Sequence, residues 1–344
     1  MDVENTAGDD AKMMPARDLL KALAPYRVPS AGRGIWELAV TLLPFVTLWL
    51  AAWASFSVSY WLTLAFAIPA GGFLVRFFLI QHDCGHGAFF RSRRLNDWVG
   101  RILGVFTMTP YDNWRRSHAI HHASSGNLDE RGVGDIDTMT IREYRASTKT
   151  RKFLYHLYRS PLVLFVIGPT YQFLLRNRFP FMFDDNKKSY WISVMGTNLS
   201  IVAVAGIVAY FVGWGPFLAV QTPIVMVAAT IGVWMFYVQH QFESTSWEGE
   251  EKWVMYEAAL KGSSHYDLPA PFRWITANIG VHHIHHLASR IPYYRLHDVM
   301  RDYPELANIR RLTFRQSLAC IKLRLWDEDG KKLVSFAQAR AIAT

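Results

Sequence analysis

The sequence predicts an all-α membrane protein with four transmembrane helices in two hairpins and a helical cytoplasmic cap that carries a di-metal histidine site. Three observations predict it. Two long tracts are almost free of charge, the basic residues are confined to the segments around those tracts, and the histidines gather at helical spacing.

Leu38 to His82 is 45 residues whose only charge is Arg76, and Ser189 to Phe242 is 54 residues with no Asp, Glu, Lys or Arg. A spanning helix needs about 20 apolar residues, so each tract holds two spans. SVSY (57–60) and GWGP (213–216) supply a turn at the middle of each. Soluble cores rarely contain charge-free runs of this length. Spans are expected at 35–56, 60–80, 191–213 and 217–238.

Of the 37 Lys and Arg, 5 lie in residues 1–34, 17 in 81–190 and 14 in 239–344, which leaves only Arg76 inside a span and none in either turn. By the positive-inside rule, all three basic segments face the cytoplasm. The expected organisation is a polar lead-in (1–34), hairpin one (35–80), a cytoplasmic or interfacial segment (81–190), hairpin two (191–238) and a soluble, helical remainder (239–344). Arg76, near the cytoplasmic end of its helix, is expected to snorkel. Two shorter apolar pieces are too short to span: WVGRILGVFTMTP (98–110) reads as an interfacial or re-entrant helix, and PLVLFVIGPTYQFLL (161–175) as interfacial. GNLDERGVGDIDT (126–138) reads as a Gly/Asp-rich loop.

The net charge of +9 suits an anionic lipid surface or an acidic partner, and no nucleic-acid motif accompanies it. The acidic start MDVENTAGDD, with no apolar run before residue 35, predicts no cleaved signal peptide. Cys84 and Cys320 form neither a disulfide framework nor a CxxC pair.

Nine of the 13 histidines fall in three five-residue windows, HDCGH (82–86), HAIHH (118–122) and HHIHH (282–286). Residues three and four apart share a helix face, so His82 and His86 form one chelating pair. His118, His121 and His122 form a trio, which His282, His285 and His286 repeat. Eight helically spaced imidazoles exceed one tetrahedral site, and two metals are the natural count. Imidazole suits zinc, copper, iron and nickel alike, so ligand type does not name the metal. His240, at the end of the fourth span, is a further candidate ligand. His283 lies about 100° from the middle of its trio's face and reads as a supporting residue. His156, His265 and His297 lack partners at helical spacing and are expected to cap or to bond to backbone. Asp83, Asp135, Asp137, Glu243 and Asp267 are available to orient ligand imidazoles.

With HxxxH, HxxHH and HxxHH in this order around two apolar tracts, the sequence resembles the integral-membrane fatty-acid desaturases. The resemblance is most specific in HDCGHGAFF, in RRSHAIHH with the following GDIDT, and in HHIHHLASRIPYYRL. The last two look closest to the omega-6 (delta-12-like) acyl-lipid branch, bacterial in flavour. The resemblance implies two non-haem irons, dioxygen as co-substrate and removal of two hydrogens from an acyl chain of a membrane lipid. It implies the ligands His82, His86, His118, His121, His122, His282, His285 and His286, with His240 the best match to an extra ligand common in the family. The chain has no flavin, nicotinamide or haem motif, so a separate ferredoxin-like or b-type cytochrome donor is implied. The resemblance also places the protein in a bacterial inner membrane. The aromatic residues Phe89, Phe90, Trp114 and Trp274 are candidate walls of an acyl channel. Competing readings are a di-iron hydroxylase of alkanes or carotenoids and a histidine-rich metal transporter, although the spans hold almost no polar groups for the latter.

Overall fold

The computed structural model describes residues 14–180 and 188–342, so the acidic stretch at residues 1–10 lies outside the described residues. The fold is mostly helical, and among the described residues four helices are long and apolar enough to cross a membrane. The first two are α1 (Ala31–Phe56), whose Ser30 cap accepts from the Arg33 N–H at 3.4 Å, and α2 (Tyr60–His86). Next come α3 (Arg93–Phe106), α4 (Tyr111–Ser124) and α5 (Gly168–Leu174). The other two long helices, α6 (Lys188–Val212) and α7 (Trp214–His240), are separated only by Gly213.

α2 is the most buried of the four long helices and packs against α1, α7, α3 and α4. Its crossing with α7 is set by a small residue. A Cβ on Gly71 would stand 2.7 Å from Val227 Cγ1 and 3.0 Å from the Ile224 carbonyl, so any larger residue would push the helices apart. α2 also runs further than the sequence suggests. It continues through His82 and His86 and ends where Gly87 adopts φ +67°, so the first histidine window is the last turn of a spanning-length helix.

α3 is one of the two short apolar pieces. Its exposed face carries Leu95, Trp98, Ile102 and Phe106 in one stripe, while Asn96, Gly100, Leu103 and Gly104 turn inward. The second piece forms a π-helical turn (Val163–Ile167) that leads into α5 and exposes Leu162, Val166, Tyr171 and Leu175. Exposed apolar stripes on helices too short to span suit a bilayer interface.

Arg76 does not snorkel. It is buried on α2, where it pairs with Glu37, also buried, and donates to Thr41 Oγ1 at 3.1 Å and to the Trp274 carbonyl. Its guanidinium carbon lies 4.3 Å from the Trp274 ring centroid. A carboxylate on the neighbouring helix removes the need to reach water, a possibility that hydropathy along one segment does not reveal.

The region after residue 239 is not purely helical. Strand β1 (His265–Asp267) pairs in parallel with β2 (Arg311–Thr313), and β3 (Leu325–Asp327) pairs antiparallel with β4 (Lys332–Val334). Three-residue strands are too short to show an alternating pattern in sequence. Between β1 and β2 lie α8 (Ala270–Ile275), α9 (His282–Leu287) and α10 (Tyr293–Asp302). β1 holds α9 in place, because Tyr266 N–H donates to the Gly280 carbonyl at 2.7 Å. A Cβ on Gly280 would stand only 2.3 Å from the Tyr266 carbonyl. That close approach requires glycine.

Candidate metal centre

Four helices deliver the histidines. α2 brings His82 and His86 one turn apart, α4 brings His118, His121 and His122, α7 ends on His240, and α9 brings His282, His285 and His286. Among the described residues they gather into two groups, His82, His86, His118, His122 and His285 in one, and His121, His240, His282 and His286 in the other. Within each group the donor nitrogens all lie within 4.8 Å of one another.

Each trio divides between the groups. On α4, His118 and His122 differ by about 40° around the helix axis, while His121 lies about 60° from one and 100° from the other. His118 and His122 therefore face α2, while His121 turns to His240 with Nε2 atoms 3.2 Å apart. α9 repeats the division, with His282 and His286 joining His240 while His285 reaches His122 at 3.1 Å.

The inward distances suit metal binding. The Nε2 atoms of His86 and His118 are 3.0 Å apart, those of His118 and His122 are 3.1 Å apart, and those of His240 and His282 are 3.0 Å apart. Two nitrogens bound at about 2.1 Å to one ion at a right angle would stand about 3.0 Å apart. Burial, reinforced by neighbouring imidazoles, holds His118, His122, His282, His285 and His286 well below the ordinary imidazole value, so they are neutral donors. The donor set is all imidazole, and the residues present fit first-row metal ions.

Carboxylates orient two of the rings from behind. Asp135 Oδ1 lies 2.6 Å from His121 Nδ1, and Asp83 Oδ1 lies 3.3 Å from His82 Nδ1. A carboxylate at Nδ1 fixes the tautomer and leaves the Nε2 lone pair facing inward. Of the other acidic candidates, Asp267 pairs instead with Arg311 at 2.6 Å. His283 joins neither group. Its Nε2 donates to the Leu306 carbonyl at 2.9 Å, its ring lies 5.7 Å from that of His265, and burial pushes its pKa down to about 3. His265 Nδ1 bonds to the Ala307 carbonyl at 2.6 Å, and His156 Nε2 lies 2.7 Å from the Tyr144 hydroxyl. Cys84 is buried beside the site, where its carbonyl accepts from the Tyr111 hydroxyl at 2.9 Å.

A cavity of about 310 Å³ opens onto both groups, with His82, His118, His121 and His282 in its wall. The rest of the wall is largely apolar and comes from α2 (Leu74, Val75, Phe78), α7 (Val225, Ala228, Gly232, Phe236) and Phe173 of α5. Trp114 lines it and stacks on His118 with 4.7 Å between ring centroids. The other three aromatic candidates lie elsewhere. Phe89 and Phe90 pack on each other, Phe89 meets the Tyr293 ring, and Trp274 covers Arg76. Sequence proximity to the histidines did not separate wall residues from packing residues.

Helices long and apolar enough to span a membrane, two histidine groups that could hold metal ions and an apolar cavity reaching both mark the class of protein. Comparison with known proteins gives the family. Residues 59–317 match the fatty acid desaturase family, and the chain belongs to it. It is an oxidoreductase, a fatty acid desaturase. It is 44% identical over 330 residues to a fatty acid desaturase of Bacillus subtilis, covering 95% of this chain and 92% of that protein. It is 29% identical to the sn-1 oleoyl-lipid 12-desaturase of Anabaena variabilis, covering 81% of this chain and 79% of that one. The sn-1 acyl-lipid omega-3 desaturase (ferredoxin) of Synechocystis is 26% identical, over 71% of this chain and 68% of that protein.

Proposed function

We propose that this desaturase introduces a cis double bond into an acyl chain of a membrane lipid, using dioxygen and two non-haem irons. The observation that carries the reading is the apolar cavity that ends on both histidine groups. His82, His86, His118, His122 and His285 would hold one iron, and His121, His240, His282 and His286 the other. Two irons supply the redox chemistry with dioxygen that an unactivated C–H bond demands and that redox-silent zinc lacks.

The remaining work falls to the chain itself. Asp83 and Asp135 hold His82 and His121 in the tautomer whose Nε2 faces the centre. The walls contributed by α2 and α7 exclude water and hold the acyl chain extended against the histidines, which limits reaction to the methylenes beside them. Trp114, stacked on His118, fixes that ring from the cavity side.

The distribution of basic residues supports two hairpins, α1–α2 and α6–α7, with residues 1–34, 81–190 and 239–344 in the cytoplasm of a bacterial cell and the site at the inner face of the inner membrane. An acyl-lipid substrate is supported by the Anabaena and Synechocystis relatives, and a ferredoxin-like donor by the latter. An acidic carrier would suit the net charge of +9. The test is expression in a host that lacks polyunsaturated lipids, followed by fatty-acid profiling with double-bond location. A new double bond in lipid-bound acyl chains supports the reading. A hydroxylated product with no new double bond would sink it.

A further inference from the structure

A second cavity, of about 450 Å³, lies where α1 begins and α8 meets α10. Its wall includes Arg33, Arg273, Arg295, His297, Asn278 and Tyr294, and shares no residue with the wall of the acyl cavity. Three guanidiniums from three separate segments point to an anionic ligand. Asp298, also in the wall, is engaged by Arg301 at 3.1 Å. Arg33 shares Glu37 at 2.8 Å with the more deeply buried Arg76. Arg295 donates to the Pro25 carbonyl at 3.1 Å. The Arg273 guanidinium has no hydrogen-bond or ion-pair partner among the described residues, although it is half-buried. The rim is braced, because Tyr294 Oη accepts from the Ser30 N–H at 3.0 Å and Asn278 Nδ2 donates to the Tyr293 carbonyl at 3.3 Å.

The surroundings point to the class of anion. Ile35 and Trp36, just past Arg33 on α1, are 63% and 58% exposed, and Phe272 on α8 is 61% exposed. Trp274, in the cavity wall, is also exposed. A basic pocket at the start of a spanning-length helix, edged by exposed tryptophans and aliphatic residues, matches the layered chemistry of a lipid surface, with phosphates above and acyl chains below. We propose that this pocket binds the phosphate of an anionic membrane lipid, at a site separate from the one that receives the acyl chain to be desaturated. A bound phosphate would satisfy Arg273 and brace α8, whose Trp274 carbonyl accepts from Arg76.

The test uses the full chain purified in zwitterionic detergent. Its thermal stability is titrated with dioleoyl phosphatidylglycerol, dioleoyl phosphatidylcholine or inorganic phosphate, for the native protein and for Arg273→Gln with Arg295→Gln. Arg315→Gln with Arg340→Gln, both exposed and outside the pocket wall, is the charge-matched control. Phosphatidylglycerol should stabilise the native protein and the control beyond phosphatidylcholine. The double variant should bind it roughly thirtyfold more weakly, since each basic residue near a lipid surface contributes about a factor of five. Unchanged phosphatidylglycerol selectivity in the double variant would overturn the proposal. Equal stabilisation by inorganic phosphate would also overturn it, assigning the pocket to a soluble phosphate instead. The proposal does not depend on the iron assignment, since none of these measurements reads desaturation.

Discussion

Asp83 ties the start of α10 to the first histidine, because its Oδ2 accepts the backbone N–H of Tyr293 at 2.7 Å while its Oδ1 lies 3.3 Å from His82 Nδ1. The Tyr293 hydroxyl continues inward to Glu37 at 3.0 Å, and Glu37 meets Arg76. A chain of polar contacts thus runs from the ion pair between α1 and α2 to the ring of the first histidine.

Asp83→Ala removes both contacts at once. Loss of a carboxylate behind a ligand histidine typically costs 10–100-fold in metal affinity or activity. The variant should show that loss in product yield, with iron content after dialysis lower than in the native protein, and Asp83→Asn should fall between them.

Asp135→Ala acts on the other group, because Asp135 meets His121 at 2.6 Å. Iron bound by His121, His240, His282 and His286 should be released first on chelator titration, leaving about one iron per chain at an intermediate stage. Loss of both irons together would show that the two groups do not behave as separate sites.

His286→Ala should leave the protein in the membrane and abolish the new fatty acid. His283→Gln, whose side-chain amide can still donate to the Leu306 carbonyl, should keep both iron and product. Retained activity in the first variant, or loss of iron in the second, would contradict the ligand assignment.

The ion pair is tested by a double-mutant cycle. Glu37→Leu leaves the Arg76 guanidinium buried without its carboxylate and should cost about 3–5 kcal/mol, read as a large fall in melting temperature in detergent. Adding Arg76→Leu should recover part of that loss, because an apolar pair needs no charge compensation.

Gly232 lines the acyl cavity, and a Cβ there would meet no atom within 4 Å. Gly232→Phe should therefore fill the bore without disturbing α7. Desaturation of long acyl chains should fall more than about tenfold while iron content stays unchanged, since packing an aromatic ring into the bore removes the space the chain needs.

Much of this was legible in the sequence, for identifiable reasons. The long helices follow from the charge-free tracts, and the histidine groups follow from His82/His86 and the two trios, whose spacing holds meaning within a single helix. The division of each trio was not legible, because whether His121 sides with His118 or with His240 depends on how α4 lies between α2 and α7. Asp135 was visible only as one of several acids, since it reaches His121 through the loop after α4 and no helical spacing links them. Arg76 was misread because its partner, Glu37, lies just outside the charge-free tract on another helix. The strands β1 to β4 escaped because three residues carry no period.

The most direct test of the account is metal analysis of the purified chain after anaerobic loading with ferrous iron. Two irons per chain, falling to about one in His240→Ala and to about one in His86→Ala, is the result the two-group geometry predicts. One iron per chain in the native protein, or a preparation active with zinc alone, would contradict it.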